Sequence, residues 1–198
     1  MKHGMLPPRQ GLYNPANEHD ACGVGFIANV KGKKSHAIID HGLRILVNLT
    51  HRGAVGADPL AGDGAGILMQ VPDAFLRKAC TTPGISLPAL GDYGVGMLFL
   101  PRNVSTRRQC EEIITRYINA EDQTLLGWRD VPTDNSGLGE SVREVEPFVR
   151  QVFIGCGTNT IAGNDFERKL FVIRKQVENE VRDSGLEGRE CFLVPSPQ

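Results

Sequence analysis

The chain has 198 residues, of which 40% are apolar and 23% charged, and its formal charge is −1. At that size a single domain buries roughly 70% of the surface its unfolded chain exposes, and the balanced charge excludes a disordered tail or a basic nucleic-acid arm. No apolar run approaches the roughly 20 residues that span a bilayer, and residues 1–20 lack the apolar stretch of a secretory signal. The expected compartment is therefore the cytoplasm, with neither nucleic acid nor membrane as partner.

Residues 1–21 carry Pro7, Pro8, Gly11 and Pro15 without apolar periodicity and read as an extended leader. From Cys22, the run Gly23 to Val30 reads as a buried strand, ended by a solvated turn at Lys31-Gly32-Lys33-Lys34. Ser35 is placed to cap a helix over about residues 36–49, with Ile38, Ile39, Gly42, Leu43, Leu46 and Leu49 at helical spacing. Ile67 to Val71 reads as a second strand stopped by Pro72, and residues 73–78 as a short helix.

Tyr93 to Leu100 is a third strand, closed by Pro101, and residues 106–120 form an amphipathic helix with Cys110, Ile113, Ile114, Tyr117 and Ile118 on one side. Extended stretches follow near residues 124–129 and 149–154, separated by a Gly-, Asn- and Ser-rich loop over 132–139. The last helix covers residues 165–182, capped by Asn164 or Asp165. A further strand begins at Glu190 and is broken by Pro195 and Pro197. The mixture supports a layered α/β or α+β fold.

The five cysteines are odd in number and widely separated, with no C-x-x-C pair, which argues against a disulfide framework or a zinc site. Most are expected to be small buried hydrophobes. The five histidines lack ligand spacing and a paired carboxylate, so no metal is expected. Trp128 reads as a packing residue.

Cys22 differs from the other four by position. If the leader is removed, its thiol gains its own α-amine as general base, and the two groups titrate within about one unit of each other near neutral pH. Gly23 and Gly25 would let a substrate approach the backbone. Taken by position alone, Cys22 reads as an ordinary strand residue.

The neighbouring residues decide between these readings. The stretch from Gly11 through Asn14-Pro15-Ala16-Asn17-Glu18-His19-Asp20-Ala21-Cys22-Gly23-Val24-Gly25 resembles the start of glutamate synthase large subunits, in which a short leader precedes a mature N-terminal cysteine. His51-Arg52-Gly53-Ala54, with Gly62-Asp63-Gly64-Ala65-Gly66-Ile67, is similar to the second block of that family, shared in shorter form by class II glutamine amidotransferases. A third stretch, Gly127-Trp128-Arg129-Asp130-Val131-Pro132 through Glu146-Pro147, is similar to a segment typical of glutamate synthase.

The resemblance implies an α+β, N-terminal-nucleophile hydrolase αββα sandwich. It divides the chain into a removable leader, 1–21, and a partial amidotransferase domain, 22–198. It implies Cys22 as nucleophile and Arg52 as a residue shaping the glutamine site, with His51, Gly53, Asp63 and Gly64 nearby. Without the family, Arg52 reads as well as a cation at a helix C-terminus. A nucleotide loop at Gly62–Gly66 is disfavoured, because the segment precedes a strand and lacks G-x-G-x-x-G spacing.

The implied partners are glutamine, the remaining domains of a large subunit and a small flavoprotein subunit. FMN and an iron–sulfur cluster are implied for later domains, and no cofactor for this segment. The family's oxyanion-hole Asn-Gly pair is missing from the sequence, so the chain is expected to be incomplete at its C-terminal side and inactive alone. A catalytically incomplete remnant serving as an interaction module is the competing expectation.

Overall fold

The computed structural model describes residues 9–11, 23–49, 64–186 and 194–195. The chain divides into two compact units, Met1–Leu68 and Met69–Gln198.

In the first unit the regular element is helix α1, His36–Asn48. Ser35 occupies the N-cap position as expected, with extended backbone, although its side chain makes no capping hydrogen bond. The half-buried positions are Ile38, Ile39, Gly42, Ile45, Leu46 and Leu49, a stripe at helical spacing. Leu43 was expected on this stripe, but it lies off it and is 47% exposed.

Residues 23–29 and 64–72 belong to no strand, and Val30 is already part of the turn that follows. Both strand expectations are therefore corrected. Apolar alternation specifies a pleated conformation, but a strand also needs a neighbour to take its backbone hydrogen bonds. Neither segment has a ladder partner among the described residues. Val24, Phe26 and Val30 are 92%, 90% and 102% exposed, so the segment is also not buried. The turn at Lys31 is present: Gly32 N–H donates to Asn29 O at 2.8 Å, and Asn29 Oδ1 accepts from Lys31 N–H at 2.9 Å.

The second unit contains every buried hydrophobic residue of the described chain. Its elements are α2 (Asp73–Cys80), β1 (Tyr93–Leu100), α3 (Val104–Ala120), β2 (Thr124–Asp130), α4 (Glu140–Val145), β3 (Phe148–Gly155), α5 (Asn164–Asp183) and β4 (Val194–Pro195). The four strands form one antiparallel sheet in the order β2-β3-β1-β4. β1 and β3 pair along their whole length, from Tyr93 opposite Gly155 to Leu100 opposite Phe148. The β2–β3 register shifts between Leu125 and Gly127, and Gly127 takes a φ of +155° there, which glycine tolerates best.

Period-two alternation gives the sheet two apolar faces. On one, Leu98, Leu100, Val152 and Ile154 meet Cys110, Ile113, Ile114 and Ile118 of α3 and Phe166, Leu170, Ile173, Val177 and Val181 of α5. Fully burying such a side chain contributes about 1.5–3 kcal/mol, so this layer holds the unit together. On the other, Tyr93 and Phe153 pack with Leu76 and Cys80 of α2 and with Val71. An antiparallel sheet with helices gathered on its faces is the expected α+β class.

Several boundaries depart from expectation. α3 starts at Val104, two residues early, because Asn103 supplies the cap: its Oδ1 accepts from Thr106 N–H at 3.1 Å. α5 begins at Asn164 behind Gly163 as N-cap, so neither Asn164 nor Asp165 caps it. The short helix α4 was not anticipated, since six residues behind a glycine N-cap carry no readable period. Pro195, expected to break the last strand, pairs with Gly96 instead. Among the described strands β4 lies at the sheet edge, where a missing N–H is tolerated.

Candidate active site

Cys22, His51, Arg52, Gly53 and Asp63 lie outside the described residues, and of the six candidate positions Gly64 alone is described. It is exposed, and a side-chain carbon there would meet nothing within 4 Å.

The segments flanking these positions are described, and they converge on α1. A Cβ at Gly23, one residue after Cys22, would come within 2.8 Å of Leu49 Cδ2. One at Gly25 would come within 2.7 Å of Ile45 Cγ2. Across the helix, the missing Cβ of Gly42 leaves room for Ile67 Cδ1, at 2.7 Å, and Ile67 follows Gly64 by three residues. Glycines at 23, 25 and 42 thus permit close packing of irregular chain on helix. Gly23 and Gly25 are expected as openings for a substrate, and the structure adds a packing role: the space their side chains would fill faces Leu49 and Ile45. The signal was available in the sequence, because small residues opposite a stripe of Ile and Leu mark a close approach.

The third block lies in the second unit and is held by polar contacts. Trp128 is half-buried against the α3–α5 layer, with the Arg150 guanidinium 5.5 Å from its ring centre, as expected of a packing residue. Arg129 Nη1 donates to Gln151 Oε1 at 2.8 Å. Beyond Pro132, Asn135 Nδ2 donates to Glu146 Oε1 at 3.1 Å, Arg143 Nη2 to Ser136 O at 2.9 Å, and Arg102 Nη1 to Arg143 O at 3.0 Å. Arg102 also pairs with Glu146. The block is thereby fixed to the end of β1.

A buried polar corner joins β2 to the loop after β3. Gln123 is 5% exposed; its Nε2 donates to Glu121 O at 2.7 Å and to Thr160 Oγ1 at 2.8 Å, and its Oε1 accepts from Gly157 N–H at 2.9 Å. Every hydrogen-bonding direction used satisfies a group that burial would otherwise penalise. On the opposite face Tyr93 donates to Asp73 Oδ1 at 2.8 Å. Burial first, and then this hydrogen bond, raise the Tyr93 phenol well above its ordinary value.

None of the described cysteines has the environment of a nucleophile. Cys80 and Cys110 are buried, and burial pushes their thiols up. Cys156 is half-buried and is raised likewise, by burial and then by the nearby Asp92 carboxylate. Among the described residues no three His, Cys, Asp or Glu side chains are grouped to hold a metal ion. His36 has a carboxylate neighbour on the surface: its Nδ1 lies 3.1 Å from Asp40 Oδ2 on the exposed face of α1. No helix among the described residues is long and apolar enough to cross a membrane.

The model of class-II glutamine amidotransferases matches residues 22–196. The NADPH glutamate synthase large chain of Bacillus subtilis is 48% identical over 187 residues, which are 94% of this chain and 12% of that one. The NADH glutamate synthase of Schizosaccharomyces pombe is 40% identical over 178 residues, 87% of this chain and 8% of its own. The ferredoxin-dependent glutamate synthase 2 of Synechocystis is 34% identical over 166 residues, 84% of this chain and 11% of its own. The chain therefore spans about an eighth or less of the length of these relatives. It belongs to the class-II glutamine amidotransferases, and its helices and antiparallel sheet are part of that family's N-terminal-nucleophile hydrolase fold.

Proposed function

We propose that this chain is the glutamine-hydrolysing portion of a glutamate synthase, with Cys22 as nucleophile and Arg52 in the glutamine site. The observation that carries the reading is the family match, which begins at Cys22 itself and runs through the second and third blocks. The packing of the flanks supports it. Gly23, bonded to Cys22, lies against Leu49, three residues before Arg52. Three residues of extended chain reach at most about 11 Å, a tether compatible with Arg52 standing beside the nucleophile. His51 and Gly53 share that tether. Gly64 is tied to the same helix through Ile67, and Asp63 is its neighbour in sequence.

The chemistry proposed follows from a thiol and an amine on one residue. Removal of residues 1–21 frees the Cys22 α-amine, which takes the thiol proton as the sulfur attacks the side-chain amide carbon of glutamine. The tetrahedral intermediate collapses by breaking the carbon–nitrogen bond, and the protonated amine returns its proton to the departing ammonia. Water then cleaves the γ-glutamyl thioester to glutamate. An acylated Cys22 nitrogen is an amide and a poor base, so the leader must be absent from the active form.

In the longer protein the ammonia would serve glutamate synthesis from 2-oxoglutarate in other domains, with a small flavoprotein subunit as a further partner. FMN and an iron–sulfur cluster would belong to those other domains. The described residues offer no donor set for a cluster, and no step of glutamine hydrolysis passes through either group. The test is Cys22→Ala in the longer enzyme. Glutamine-dependent activity should be abolished while ammonia-dependent activity persists, because the thiol serves only to release ammonia. Equal loss of both activities would show that Cys22 supports folding instead.

A further inference from the structure

We draw no further inference here: the strongest candidate, the apolar face that Val24, Phe26 and Val30 present on the segment of residues 23–30, carries nothing because nothing in the structure shows what covers it.

Discussion

Gly157→Ala is the substitution for which the structure makes the sharpest energetic statement. A Cβ at Gly157 would stand 1.8 Å from Asp122 O and 3.0 Å from Asp122 C, and both atoms are backbone. Ordinary carbon–oxygen contacts require well over an ångström more, so Asp122 or the chain at Gly157 must move. Asp122 has little freedom to do so, since it already sits at a φ of +57°, in the left-handed region that L-residues seldom occupy. Any such movement also pulls apart the Gly157 N–H and Gln123 Oε1, now 2.9 Å apart.

Overpacking costs about 1–3 kcal/mol, and leaving a buried donor or acceptor of Gln123 unpaired costs about 1–3 kcal/mol more. The expected loss is about 2–6 kcal/mol, a large part of the 5–15 kcal/mol typical of a domain. For a protein of this size that corresponds to a fall in Tm of roughly 4–24 °C. The reference variant is Gly137→Ala, where a Cβ would meet nothing within 4 Å. Urea titrations of both variants beside the parent give the comparison. A Gly157→Ala protein within about 0.5 kcal/mol of Gly137→Ala, the spread of ordinary surface substitutions, would refute the account of this corner.

Two further predictions concern pH. Tyr93→Phe removes the bond to Asp73 and should cost about 1–2 kcal/mol at neutral pH. Because the folded-state Tyr93 value lies above the unfolded one of about 10, the parent's stabilisation from this group is full below that pH and is lost on the way up. The variant's alkaline limb in a stability-versus-pH series should therefore be flatter, and parallel limbs would contradict the assignment. At the acid end, Arg116 and then Tyr117 hydrogen-bond the Glu180 carboxylate and hold it below the usual range. Its contribution is present above the unfolded value of about 4.3 and is lost as pH falls through the lower folded value. Glu180→Gln should lower stability at pH 7 and lessen the loss on acidification, and an unchanged acid limb would sink this reading.

What could be read from the residues was whatever depends on local pattern. The 3.6-residue stripes of α3 and α5, which the structure buries as Ile113, Ile114, Phe166, Leu170 and Ile173, were visible in the chain, as was β1 up to its closing Pro101. The segment 23–30 has the same alternation as a strand, but pairing is a property of a second segment and not of its own sequence. Pro195 misled for the same reason: its tolerance depends on β4 lying at the sheet edge. At the site, the motif around Cys22 and the Arg-Gly block gave the family. The contacts that bring their flanks together, Gly23 with Leu49 and Gly42 with Ile67, appear only when α1 is placed.

The central claim is that a cysteine with a free α-amine does the chemistry, and the mass of the active enzyme's N-terminus tests it most directly. Intact-mass and N-terminal peptide measurements on a preparation that turns over glutamine should find a chain beginning at Cys22, with residues 1–21 absent. A preparation of equal specific activity in which the chain still begins at Met1 would contradict the account.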